Sequence, residues 1–112
     1  MTLVCLEEDK KTLSKRFRKT DYFAFLEEEN VSIEKNPHKF SKSPEFFDYF
    51  KTLNIDTIYL KALGYKTFLT LEKLGVKVYL VEKSEHYKDI TPSELQLIDA
   101  KNAEAFCTLG HK

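Results

Sequence analysis

Glycine is scarce, with 3 in 112 residues, and that excludes a glycine-rich phosphate loop of the dinucleotide or P-loop kind. Cysteine is scarcer still. Cys5 and Cys107 are too few for a disulfide framework, so an intracellular protein with reduced thiols is the expectation. No apolar run approaches the ~20 residues that a membrane-spanning helix needs. The opening MTLVCLEEDKK carries acids where an export signal has a basic and then an apolar stretch, and a cytoplasmic location is expected. Neither sign of charge is in surplus: Lys plus Arg is 18 and Asp plus Glu is 18, which argues against a general nucleic-acid binder. Repeats, low-complexity tracts and Pro/Gly/Ser linkers are absent. So are the G-x-S-x-G elbow, the H-E-x-x-H pair and any Cys/His nucleophile signature, and the expectation is a protein that is not an enzyme.

What remains is 42% apolar and 32% charged residues, the balance of a globular protein. The length predicts one domain over residues 1–112, able to bury roughly two-thirds of its unfolded surface.

The periodicities predict short alternating elements. Thr2–Leu6 (TLVCL) is an apolar strand buried on both faces, followed by a polar connector, Glu7–Thr20, relieved by Leu13 and Phe17. Asp21–Leu26 and Val31–Lys35 form a hairpin around Glu27–Asn30, with Asn30 the residue suited to positive φ and Asn36-Pro37 as its stop. Ser43-Pro44 opens a helix whose inner face is Phe46, Phe47, Phe50 and Leu53. Ile55–Leu60 is a strand, Gly64–Leu74 a helix closed by Gly75, and Val76–Val81 another strand. Thr91-Pro92-Ser93-Glu94 has the form of a capping box, and Leu95, Leu97, Ile98 and Ala105 predict a last helix behind it. The expected fold is α/β: a mixed five-stranded sheet in the order β, ββ hairpin, α, β, α, β, α, with right-handed crossovers and a ribonuclease H-like layout. A nuclease of that layout needs strand-borne carboxylates for two metal ions, and TLVCL carries none. The second hairpin strand is an exposed edge, so a monomer or weak homodimer is expected.

Ligands of open α/β sheets sit beyond the carboxyl ends of the strands. Two segments meet there. One holds Lys10, Lys11, Lys15, Arg16, Arg18 and Lys19 with no acid between them, a patch suited to a phosphate, a carboxylate or an anionic cluster, or simply a solvated loop. The other places Lys61 and Lys66 around Gly64 at a helix N-terminus, where free N–H groups and the helix dipole favour an anion; the plainer alternative is a tight turn with solvated lysines. Metal spacing is sparse: Cys107 and His111 form C-x3-H, two ligands where a closed zinc site needs four. Cys5 fits a buried strand, His38 lies in a loop and His86 in a polar stretch.

Three segments carry a family resemblance across residues 2–100. SKRFRKTDYF (Ser14–Phe23) resembles an S-x-H-F-G-x-A-x-x-F signature, Asn36-Pro37 an E-N-P step, and LGYKT with LEKLGVKVY (Leu63–Thr67, Leu71–Tyr79) a G-G-I-G-x-[RK]-A … L-x-x-x-G-I-x-V-Y block. The family is the dinitrogenase iron–molybdenum cofactor biosynthesis group, of the NifX, NifY and NifB C-terminal type. The resemblance implies a ribonuclease H-like fold without nuclease activity. It also implies a non-enzymatic carrier or accessory role toward an iron–sulfur or iron–molybdenum-type cluster, alongside cofactor-assembly proteins. Arg16-Phe17-Arg18 stands where the family has His-Phe-Gly, and a guanidinium, always protonated, does not ligate iron. Lys61-Ala62 stands where the family has Gly-Gly. Cluster ligands would then have to come from Cys5, His38, Cys107 or His111. The other reading is a small-anion or partner-binding module without metal, whose contacts are Arg16, Phe17, Arg18, Lys61, Gly64 and Lys66.

Overall fold

The structure is a computed structural model and describes residues 1–107. Three buried strands form the middle of one mixed sheet: β1 (Thr2–Leu6), β4 (Thr57–Leu60) and β5 (Lys77–Val81) run parallel. The hairpin β2 (Tyr22–Glu27) and β3 (Asn30–Lys35) lies antiparallel beside β1. A short strand, β6 (Leu95–Ile98), lies antiparallel beside β5, giving the order β3-β2-β1-β4-β5-β6.

Both parallel crossovers step the same way across the sheet, from β1 to β4 and from β4 to β5, so right-handed connections put their helices on one face. Helix α1 (Ser43–Lys51) buries Phe46, Phe47 and Phe50 there, and α2 (Tyr65–Lys73) buries Phe68 and Leu71. They meet Leu3, Cys5, Phe23, Ile58 and Val78 from the strands. Alternate strand residues point the other way. Val4, Leu6, Ala24 and Val81 form a second, smaller core under Leu13, the 3-10 turn at Tyr87 and Ile90, and among the described residues no α-helix packs on it.

The sheet has six strands, not five. The capping box is present, with the Thr91 N–H donating to Glu94 Oε2 at 3.0 Å, but it closes a single 3-10 turn, Pro92–Glu94. Glu94 also accepts from Lys83 N–H, Ser84 N–H and the Ser84 hydroxyl, so it ties the end of β5 to the start of β6. Those bonds, led by the two from Ser84, hold its carboxyl pKa down at about 2. Leu95–Ile98 is then drawn into the sheet opposite Val81–Val78, and the only helix that follows among the described residues is the four-residue α3 (Ala103–Phe106), with Ala105 exposed on it. Two smaller positions also differ from expectation. Lys42, not Ser43, is the N-cap of α1, so Ser43 and Pro44 are its first helical residues.

In the hairpin, the positive φ falls on Glu28 (56°), not on Asn30. A two-residue hairpin turn requires that region next to its first strand, and glycine occupies it without steric cost. Glu28→Gly is therefore expected to stabilise the protein by about 0.5–1 kcal/mol, set against glycine's larger entropy loss on folding. A denaturant midpoint at or below that of the parent chain would contradict this. Among the described residues no helix is long and apolar enough to cross a membrane.

Candidate functional site

The connector after β1 is held at four buried points. Ser14 N–H donates to Cys5 O at 2.9 Å, and Ser14 Oγ accepts from Arg16 N–H at 3.0 Å. Phe17 drops into the helix-side core, edge-on to Phe46 and Phe50 with centroids 5.1 and 5.6 Å away. The Thr20 hydroxyl donates to Leu6 O at 2.7 Å. Asn36, 3% exposed, donates from Nδ2 to Arg18 O at 2.9 Å and Thr20 O at 3.0 Å, while its Oδ1 accepts from His38 N–H at 2.9 Å. With Phe17 pointing inward, the residues on either side of it, Arg16 and Arg18, are left at the surface of the loop. Arg18 reaches one backbone acceptor, Ser41 O, at 3.3 Å.

Gly64 is the N-cap of α2 and supplies no capping side chain. The first turn of α2 contains no acid, whereas α1 has Glu45 in its first turn, accepting from Lys42 N–H at 2.9 Å. Phe68 N–H is the donor that reaches back to Gly64 O, so the N–H groups of Tyr65, Lys66 and Thr67 precede the helix's own ladder. The positive end of the α2 dipole is thus left without a negative partner from its own chain segment.

The two features meet in a cleft of about 380 Å³, lined by Lys15–Lys19 on one side and by Ala62, Leu63, Gly64 and Thr67 on the other. Its size is toward the low end for small-ligand sites. Among the described residues, Lys15, Arg16, Arg18 and Lys19 have no carboxylate within ion-pair distance. Among the described residues the lining holds no Cys, His, Asp or Glu.

Of the residues singled out by sequence, Arg16, Phe17, Arg18 and Gly64 share this cleft. Lys61 and Lys66 are not in its lining. Leu60 faces the helix-side core, so the next residue along turns to the opposite face. Lys61 Nζ lies there, 3.4 Å from Glu85 Oε2 and 3.5 Å from Val81 O. Lys66 is exposed on the first turn of α2. Lys10 has turned over the Tyr22 ring, 5.0 Å from its centroid. Thr67 was not anticipated; its place at the third helical position beside Gly64 is the signal that would have identified it.

Three of the metal candidates, Cys5, His38 and Cys107, do not lie in the cleft lining. Cys5 and Cys107 are buried in the helix-side core, and burial pushes both thiols above their usual pKa. His38 Nδ1 is 2.8 Å from Ser41 Oγ, with its ring 4.8 Å from that of Tyr49. His111 lies outside the described residues. Among the described residues no three of His, Cys, Asp and Glu cluster as a metal site.

Fold and site together define a mixed α/β protein with a cationic cleft at the carboxyl ends of β1 and β4. No protein-family model matches the chain, and no curated protein matches it in sequence. Solved structures do match in fold. The crystal structure of PH0822 superposes with a TM-score of 0.68 at 18% identity, over 88% of this chain and 95% of that one. The apo form of the orange protein from Desulfovibrio gigas gives 0.66 at 13% identity, over 87% and 91%. The NMR structure of a putative NifB protein from Thermotoga, assigned to the DUF35 family, gives 0.58 at 22% identity, over 75% and 78%. At these identities the similarity is one of fold.

Proposed function

We propose that this chain is a non-catalytic carrier or accessory protein of the nitrogenase-cofactor assembly type, whose cleft holds an anionic metal–sulfide cluster by countercharge. The observation that carries the reading is the convergence of Lys15, Arg16, Arg18 and Lys19 on an uncompensated helix N-terminus, in a lining that, among the described residues, holds no metal ligand. A cluster whose metals are already saturated by sulfide needs no thiolate or imidazole from the protein. It needs positive charge and N–H donors, which this cleft supplies. The family resemblance of the sequence supports the reading. So do the similar folds, one a putative NifB protein and one an orange protein solved in its apo form. On this reading the sheet is a ribonuclease H-like core extended by β6, and the partners are cofactor-assembly proteins within the cell.

The hard, cationic character of the described lining favours a second reading, a site for a small oxyanion such as phosphate. Both readings are tested by the same variant. The protein is incubated anaerobically with tetrathiomolybdate, with ferrous iron plus sulfide, or with inorganic phosphate, then desalted. Coloured cargo retained by the parent chain, and lost at least about tenfold per arginine in Arg16→Ala/Arg18→Ala, is the result expected for a metal–sulfide cluster. Phosphate binding with the same arginine dependence and no coloured adduct assigns the cleft to the oxyanion. Binding of any of the three that the double variant leaves unchanged overturns both.

A further inference from the structure

Strand β3 is an edge strand of the sheet whose charges, Glu34 and Lys35, sit together at one end. Among the described residues it pairs with β2 on one side and with nothing on the other. It contains no proline, glycine or bulge along Asn30–Lys35, devices that otherwise discourage edge-to-edge pairing. Val31 is 49% exposed, and Ile33 is half-buried beside it.

The register with β2 fixes which backbone groups are free. Glu27 pairs with Asn30 across the two-residue turn, and such a turn is closed by a hydrogen-bonded pair. At the other end Asn36 N–H donates to Asp21 O at 3.0 Å. Even-numbered residues therefore face β2 with their N–H and C=O groups, and Val31, Ile33 and Lys35 face outward. Their side chains all lie on the helix-free face, alternating with Ser32 and Glu34 on the other.

We propose that β3 pairs antiparallel with β3 of a second copy of this chain, about a two-fold axis midway between the two copies of Ser32. A two-fold axis perpendicular to the sheet must pass midway between the two copies of one residue, so the choice of register is small. Centred on Ser32, Val31 lies opposite Ile33 of the second copy and Asn30 opposite Glu34, and Lys35 comes alongside the turn that carries Glu29, each contact occurring twice. The apolar side chains meet in the middle and opposite charges close both ends. Centring on Ile33 sets Val31 against Lys35. Centring on Val31 sets Glu28 against Glu34 and Glu29 against Ile33. Only the Ser32 register is complementary throughout. It continues the sheet into a second copy and covers Val31, the most exposed aliphatic residue of the hairpin. The contact area is small, so the dimer is weak.

Sedimentation of the full chain tests this, at concentrations up to about 1 mM to reach a weak association. Glu29→Lys and Lys35→Glu each convert two attractive pairs into two repulsive ones and are expected to weaken self-association roughly tenfold. An equimolar mixture of the two variants restores both pairs and should dimerise as the parent does. Ser32→Cys places the new thiol beside its own copy across a non-hydrogen-bonded pair, with Cα atoms about 4.5 Å apart, within the range of a disulfide. Mild oxidation should give a covalent dimer there but not with Glu34→Cys, whose partner position is Asn30. The native Cys5 and Cys107 are buried and do not compete. A parent chain that stays monomeric at the highest concentration overturns the proposal. So does self-association indifferent to both charge variants, or cross-linking of Glu34→Cys as fast as that of Ser32→Cys.

Discussion

Phe17→Ala is expected to lower stability by about 3–5 kcal/mol, the range for truncating a packed core phenylalanine, and to remove anion binding even where the variant remains folded. Phe17 is 6% exposed and packs against Phe46, Phe47 and Phe50 of α1. It is also the middle residue of the basic segment, so the ring that fills the core is what presents the arginines on either side of it at the cleft. Losing it costs transfer energy and leaves a cavity between the loop and α1. It also returns conformational freedom to Lys15–Lys19, which a ligand must then restrict again at the expense of affinity. Phe17→Leu keeps most of the volume and should cost less than about 1.5 kcal/mol with binding retained. Denaturant unfolding of the two variants checks the stability difference, and retention of anionic cargo below the unfolding transition checks the presentation. A Phe17→Ala loss below about 1 kcal/mol, the level of an ordinary substitution, would show that the ring does not hold the loop.

Local pattern and long-range contact divide what was legible in the sequence. The central strand, the hairpin, α1, β4, α2 and β5 each carry a period or a stop signal within their own residues, and each appears near its expected place. The strand β6 does not, because Leu95-Gln96-Leu97-Ile98 is too short to distinguish a period of 2 from one of 3.6. The capping box before it is legible as chemistry but not as extent. Glu94 spends its acceptors on Lys83 and Ser84 as well as Thr91, and a turn so anchored to β5 leads into the sheet. In the cleft, charge density was visible but direction was not. Lys61 follows strand parity away from the helix face. Lys66 lies two residues before Phe68, about 200° around the helix from a buried position. Asn36 reads in sequence as the end of a strand. Its hold on Arg18 and Thr20 exists only because the hairpin returns the chain to them.

That hold gives the second large effect. Asn36→Asp is expected to cost about 3 kcal/mol or more at neutral pH, the upper range for a buried polar group deprived of its partners. The native amide donates to two carbonyl oxygens. A carboxylate in the same place has no proton to donate and faces both acceptors with negative charge. Asn36→Ala removes the donors without adding charge and should cost less, about 1–3 kcal/mol. The aspartate variant carries its own signature in pH. Its carboxyl pKa in the folded state is raised above the unfolded value, because only the protonated form can donate to Arg18 O or Thr20 O. Stability is then greatest below the unfolded carboxylate pKa of about 3.9 and falls as pH rises through the folded value. The parent chain runs the other way. Asp9, bonded by the Thr12 hydroxyl and by Thr12 and Lys11 N–H, and Glu94, bonded chiefly by Ser84, are both held down at about 2. Their stabilisation is present above the unfolded values of 3.8 and 4.5 and is lost as pH falls toward 2. The difference in stability between Asn36→Asp and Asn36→Ala should therefore shrink or reverse from pH 7 to pH 4, a comparison in which the contributions of Asp9 and Glu94 cancel. A difference that stays constant over that interval would mean that the side chain at position 36 turns out to solvent and that the amide does not hold the basic loop.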